Sequence, residues 1–223
     1  MTERISFIAG AVYQRYTKRL MDIVLSLILF ALFLLPSVVV AVLIKCTSPG
    51  PIFADVPERI GQGGRTFKMY KFRSMIQNAH QMLRNDPEFK ELYEEYKKGS
   101  YKLQHDPRIT KIGKFIRKHS LDELPQILNV LKGDMSLVGP RAYYPDELEN
   151  QQQEYPHARK LVSKVLLAKP GITGLWQVSG RSEINFDERI IIDAKYVDQI
   201  SLKNDVVIIL KTPYVMLTGK GAV

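Results

Sequence analysis

Ile23-Val24-Leu25-Ser26-Leu27-Ile28-Leu29-Phe30-Ala31-Leu32-Phe33-Leu34-Leu35-Pro36-Ser37-Val38-Val39-Val40-Ala41-Val42-Leu43-Ile44 is the stretch whose reading decides the architecture. It carries no charge, and as a straight helix it would run about 33 Å, enough for a hydrocarbon core of about 30 Å. A cleavable signal fits poorly, because the run is long, starts late and is followed by no small-residue cleavage site. Pro36, near the middle, removes a backbone hydrogen bond and disfavours helical geometry at Leu35. Arg15, Lys18 and Arg19 precede the run, and Lys45, Arg59, Arg65, Lys68, Lys71 and Arg73 follow it. A spanning helix is expected to bias Lys and Arg to one side. Basic flanks at both ends predict a re-entrant helix hairpin, broken at Pro36, that returns to the face it entered; one kinked span is the competing arrangement.

The remaining composition is that of a folded protein: 223 residues, 45% hydrophobic and 25% charged. The formal net charge of +9 implies an anionic partner, whether nucleic acid, acidic lipid or a phosphorylated substrate. The single cysteine, Cys46, excludes an internal disulfide framework. We divide the chain into an anchor over 1–46 and a second domain over 47–223, which opens on the Thr47-Ser48-Pro49-Gly50-Pro51 turn.

Within the second part, Arg65 to Met75 reads as an aromatic-rich strand. Its alternation puts Phe67, Met69, Lys71 and Arg73 on one face. Asp86 and Pro87 open a helix with Phe89, Leu92, Tyr93 and Tyr96 at helical spacing, stopped by Gly99. A second helix is predicted over Ile109 to Lys118, and a short strand over Met135 to Val138. A final apolar helix, capped by Asn204 and Asp205, runs through Leu217. The four histidines lack metal-ligand spacing.

Chemistry concentrates in Ser120-Leu121-Asp122-Glu123-Leu124-Pro125-Gln126. Ser120 and Glu123 match a capping box, a purely structural device. With Asp122 at the N-cap instead, Pro125 falls in the first turn, where its missing amide hydrogen costs little. Either arrangement leaves both carboxylates at a helix N-terminus, which favours their ionised forms. Such a pair can divide metal binding and nucleophilic attack on phosphorus. A carboxylate attacking a diphosphate needs cations nearby, and Arg117, Lys118 and Arg141 are close in sequence. The loop from Lys169 to Arg181 adds glycines that permit close backbone approach to a ligand, then Trp176 and Arg181.

Taken together, these motifs resemble the bacterial sugar transferase family, the monotopic phosphoglycosyl transferases. The resemblance runs from about Tyr16 to Val223. It is carried by Lys18 to Asp22, Ser48-Pro49-Gly50-Pro51, Tyr70 to Met75, Asp106 to Gly113, Ser120 to Gln126, Gly133 to Arg141 and Pro170 to Arg181. It implies a mixed α/β, mostly helical, membrane-associated catalytic domain with the re-entrant anchor, on the cytoplasmic face of the bacterial inner membrane. The implied reaction passes a sugar 1-phosphate from a UDP-sugar to undecaprenyl phosphate, releasing UMP, with Mg²⁺. Asp122 would form a covalent phosphosugar, Glu123 would assist it or hold metal, Arg73, Arg117 and Arg141 would hold phosphates, and Arg181 would help bind the nucleotide sugar.

The chain departs from the family pattern at three places. Ala142 replaces the second proline of Pro-Arg-Pro, Val56-Pro57-Glu58-Arg59 lacks the usual Gln, and Leu35 precedes Pro36 where some members have Ser. The Gln77 to Gln104 insert and the Gly174 to Asp187 segment resemble hexose-transferring members, so galactose or glucose is expected, in a minimal catalytic form serving exopolysaccharide, O-antigen or capsule assembly. Downstream glycosyltransferases are possible partners. A nucleic-acid-binding reading leaves the acidic pair unexplained, and a catalytically silent scaffold of a glycan assembly complex is the alternative function.

Overall fold

The computed structural model describes residues 13–98, 101, 103, 105–180 and 184–218. After a π-helical turn at Tyr13–Thr17, the apolar run forms α1, Lys18–Thr47, with Pro36 inside it. The run is helical on both sides of Pro36 with no loop between the two arms, and would be about 45 Å long if straight. Pro36 removes one backbone hydrogen bond and its ring crowds the carbonyl four residues back, so this is where the helix can bend without ending.

The other elements form a mostly helical body. Two short strands, β1 (Arg59–Ile60) and β2 (Thr66–Phe67), pair antiparallel. Helices α2 (Ala79–Asn85), α3 (Lys90–Lys98) and α4 (Lys111–Lys118) follow. A tight 3-10 turn, Leu121–Gln126, leads into α5 (Ile127–Lys132). Strand β3 (Ser136–Val138) precedes α6 (Pro145–Glu154) and α7 (Ala158–Val165), and pairs parallel with β4 (Gly171–Thr173). The chain closes with α8 (Leu175–Ser179), α9 (Phe186–Asp198) and α10 (Leu202–Thr218).

Several local expectations need adjusting. Of the strand expected over Arg65 to Met75, only Thr66–Phe67 is laddered; Phe72 and Met75 make isolated bridges to Phe53 and Ile109. Asp86 caps as expected, accepting from the Glu88 amide at 3.0 Å, but first a 3-10 turn and then α3 follow it. Gly99 lies outside the described residues. Thr110, one residue into the range expected for α4, is that helix's cap, accepting from the Gly113 amide at 3.0 Å. Asp205 is no cap: it is fully buried and accepts hydrogen bonds from Tyr13, Lys18 and Tyr196.

Both ends of α1 are docked on this body. At the N-terminal end, the Lys18 ammonium reaches the Val138 carbonyl at 2.9 Å, and Arg19 donates to the carbonyls of Val130 and Leu131 at 2.6 and 2.9 Å. Asp22 is buried there and accepts from the Ser136 hydroxyl and the Leu137 amide, both at 3.0 Å. At the C-terminal end, Val40 and Ile44 pack with Phe72 and Ile116 in a buried cluster. Between Leu27 and Val39 no residue is buried, and Leu32 and Leu35 are among the most exposed apolar side chains. The helix therefore presents an apolar middle to its surroundings while its two ends are held by one domain.

Close backbone packing fixes the site's supports. A Cβ on Gly113 would come within 1.8 Å of the Ser74 carbonyl oxygen, so glycine lets α4 lie directly on the Tyr70–Met75 segment. Likewise a Cβ on Gly171 would meet the Gly139 nitrogen at 2.1 Å, and one on Gly174 the Gly139 carbonyl at 2.0 Å. Gly171 and Gly174 thus admit the neighbouring Gly139 backbone, where the sequence had pointed to a ligand.

Candidate active site

Ser120 turns the chain through a left-handed conformation (φ 55°), so no capping box forms, and Asp122 is not an N-cap either. Pro125 explains part of this: having no N–H, it leaves the Asp122 carbonyl for the Phe72 amide, which donates to it at 2.9 Å. That bond ties the acidic turn to the Tyr70–Met75 segment and sets Lys71 against the acid pair. The Lys71 ammonium lies 2.8 Å from Glu123 Oε1 and 3.7 Å from Asp122 Oδ2.

Asp122 is buried, with 8% of its surface exposed, while Glu123 is half-buried. Burial pushes the Asp122 carboxyl above the usual range; Lys71 pulls it down, Glu123 pushes it up, and Arg117 pulls it down again. Burial thus opposes the ionised form expected from the helix terminus, while Lys71 and Arg117 favour it.

The pair opens into a cavity of about 500 Å³, which brings together Asp122, Glu123, Arg73, Arg117 and Arg141 from separate elements. Arg181 lies outside the described residues. The three arginines differ in setting. Arg73 donates to the Pro51 carbonyl (2.5 Å), the Ser48 hydroxyl (2.8 Å) and the Ser48 carbonyl (2.9 Å). Three of its five N–H bonds thus clasp the turn that ends α1, a positioning role that sequence reading did not foresee. Arg117 contributes positive charge to the acid pair. Arg141 stacks over Trp176, its guanidinium carbon 5.3 Å from the ring centre, and its Nε lies 3.9 Å from Glu147 Oε1.

Ala142, where the family has a second proline, does not leave this segment loose. Its carbonyl accepts from Arg59 at 3.0 Å, and the next carbonyl, of Tyr143, accepts from the Ile60 amide at 2.9 Å. Asp193 accepts from the Arg141 amide at 3.0 Å and the Tyr143 hydroxyl at 2.8 Å; burial pushes its carboxyl up to about 6. Hydrogen bonds replace the ring as the source of rigidity.

Among the lining residues not foreseen as site residues are Lys71, Arg59, Arg108 and His80. The alternation that placed Lys71 with Arg73 on one face was the available signal for Lys71, since both line the cavity. Arg59 is buried, with its guanidinium carbon 3.2 Å above the Tyr144 ring and its Nε without a hydrogen-bond partner among the described residues. Burial and the neighbouring cations Arg59, Arg108, Arg84 and Lys71 push the His80 imidazole down to about 3. At neutral pH it is an uncharged hydrogen-bonding group in a cationic basin.

Among the described residues, no three His, Cys, Asp or Glu side chains cluster to cage a metal. Mg²⁺ does not require this, since it binds through one or two carboxylates plus substrate phosphates. Asp122 and Glu123, both directed at one ammonium group, fit that limited donor set.

The cavity thus joins a buried carboxylate, a second acid and several guanidinium groups, and comparison with known proteins gives the family. The family described as Bacterial sugar transferase matches residues 13–219, and the chain belongs to that family. It is 44% identical over 212 residues to the undecaprenyl-phosphate galactose phosphotransferase of Salmonella typhimurium, covering 93% of this chain and 42% of that protein. To the exopolysaccharide production protein ExoY of Sinorhizobium fredii it is 41% identical over 214 residues, covering 92% and 88%. To the UDP-glucose:undecaprenyl-phosphate glucose-1-phosphate transferase of Escherichia coli it is 35% identical over 216 residues, covering 93% and 42%. The chain thus spans less than half the length of several of the proteins it matches.

Proposed function

We propose that this chain transfers a hexose 1-phosphate, galactose or glucose, from a UDP-sugar to undecaprenyl phosphate and releases UMP, the first step of building a cell-surface glycan. The observation that carries this reading is the buried Asp122, set beside Glu123 and Lys71 in a cavity walled by arginines. An Asp122 oxygen attacks the phosphorus that bears the sugar, the bond to UMP breaks, and an aspartyl phosphosugar forms. A phosphate oxygen of the lipid then attacks the same phosphorus and frees the carboxylate. Lys71 offsets the negative charge of the pair, Glu123 accepts the acceptor's proton, and Arg117 and Arg141 neutralise charge on the diphosphate. Asp122 and Glu123 would hold a Mg²⁺ completed by the donor's phosphates, where it supplies further charge neutralisation.

The anchor reading follows from docking. A helix crossing about 30 Å of hydrocarbon would part its ends, yet Asp22 and Ile44 are both buried on one domain. We therefore read α1 as dipping into the inner membrane by its Leu27–Val39 surface and returning, with the domain on the cytoplasmic face. An impermeant maleimide tests this at native Cys46, which is exposed, and at Thr17→Cys in a Cys46→Ser background. Both are expected to label from the cytoplasmic side; labelling from opposite sides would establish a span.

The function is tested by UMP release from protein in lipid with undecaprenyl phosphate, Mg²⁺ and a panel of UDP-sugars. Release with a hexose donor is expected. A well-folded protein silent with every donor would point to a scaffold of a glycan assembly complex.

A further inference from the structure

A second cavity, of about 820 Å³, adjoins the first. That volume lies within the range of about 300–1,000 Å³ usual for small-molecule sites. Phe53, Leu128 and Leu131 give it apolar walls; Leu128 and Phe53 keep 39% and 53% of their surface exposed. Phe53 is held by stacking on Phe72, with ring centres 5.6 Å apart. Leu128 and Leu131 stand three residues apart on α5, which grows directly out of the acidic turn.

Charge is distributed unevenly around this groove. Lys68, Lys71 and Lys132 line it against one carboxylate, Asp55. Lys132 is steadied by a hydrogen bond to the Tyr70 hydroxyl and lies 4.6 Å from the centre of that ring. The two cavities share a wall made of Pro51, Ala54, Asp55, Met69 and Lys71. Lys71 thus faces the groove while its ammonium holds Glu123 at 2.8 Å. Pro51 closes the turn at the C-terminal end of α1, so the groove begins where the chain leaves the apolar anchor.

We propose that this groove holds the first isoprene units of the acceptor, with the lipid phosphate at Lys71. The inference rests on the transferase reading above. Apolar walls suit a hydrocarbon chain, three ammonium groups suit a monoester phosphate, and the shared wall delivers that phosphate to the Asp122 and Glu123 turn. The donor, with its diphosphate and nucleoside, occupies the other, arginine-lined cavity. The two substrates therefore approach the acidic pair from opposite sides of Lys71, and each leaves without displacing the other.

Two measurements on the full chain in lipid test this. A polyprenyl phosphate with a photoreactive diazirine in its first isoprene units is expected to label the peptides containing Phe53 or Leu128 to Leu131. Label confined to Leu27–Val39 of α1, or to any other surface, would overturn the proposal. This is a binding readout, so it stands even if no transfer is found, an outcome that would defeat the transferase reading instead. In kinetics, Leu128→Trp fills the groove from an already exposed position. It is expected to raise KM for undecaprenyl phosphate about ten-fold, a change typical of an altered apolar pocket, and to leave KM for the UDP-sugar within about two-fold. Unchanged acceptor KM, or equal rises for both substrates, would contradict it.

Discussion

Asp122→Asn is expected to lower UMP release by roughly 10³-fold or more, the scale on which loss of an attacking group acts. The substitution keeps shape and one carbonyl oxygen but removes the nucleophile. Because burial already disfavours charge at this position, a neutral amide costs the fold little. Thermal unfolding of the variant is expected to match the parent, which separates loss of chemistry from loss of structure. The same burial gives the parent a pH signature. Asp122 must be ionised to attack, and its carboxyl is raised, so activity falls on acidification at a higher pH than an exposed aspartate would dictate. Retention of activity within ten-fold in the variant would assign the attack to another group.

Asp205→Ala is expected to destabilise the fold by about 3–5 kcal/mol, the usual cost of leaving one partner of a buried ion pair behind. Asp205 is fully buried, yet it accepts from the Tyr13 hydroxyl at 2.6 Å, the Tyr196 hydroxyl at 2.7 Å and the Lys18 ammonium at 2.5 Å. Removing it strands the Lys18 charge and two hydroxyl groups at the junction of α1, α9 and α10. Denaturant unfolding in a lipid nanodisc measures the loss. A change under about 1 kcal/mol would mean that water replaces the carboxylate.

These two aspartates illustrate what the sequence could and could not convey. Asp122 was legible because two carboxylates flanked by arginines are chemically unusual wherever the chain folds. Asp205 was not, because an acid near a helix start reads as a cap from local sequence alone, whereas its burial depends on Tyr13 and Lys18, far away in the chain. The long helix α1 was legible from its charge-free length. The docking of both its ends was visible only in the basic flanks, of which Lys18 and Arg19 prove to be docking groups. Strands of two or three residues fall below any hydrophobic period, so the pairing of β3 with β4 could not be read. The glycines at 171 and 174 announced close approach without saying to what; the answer, the backbone at Gly139, is a long-range contact.

Arg73 shows a further limit. Its place on the same face as Lys71 was readable from alternation, and both residues line the cavity. Which of them meets the acids depends on where the Ser48–Pro51 turn lies, and that is fixed by α1 packing through Ile44 and Val40. The end of α1 and the candidate site are thereby coupled: the clasp on the Ser48–Pro51 turn also orients the segment carrying Lys71.

The most direct test of the central claim is to follow the transferred phosphorus itself. Protein in lipid is mixed with a UDP-hexose that supports turnover, carrying ³²P at the phosphate next to the sugar, with Mg²⁺ and no lipid acceptor, then quenched and separated from free nucleotide. The account predicts label bound to the parent protein, absent from Asp122→Asn, and discharged when undecaprenyl phosphate is added. A parent protein that turns over with acceptor yet never carries label would contradict it, and would mean that the lipid phosphate attacks the donor directly.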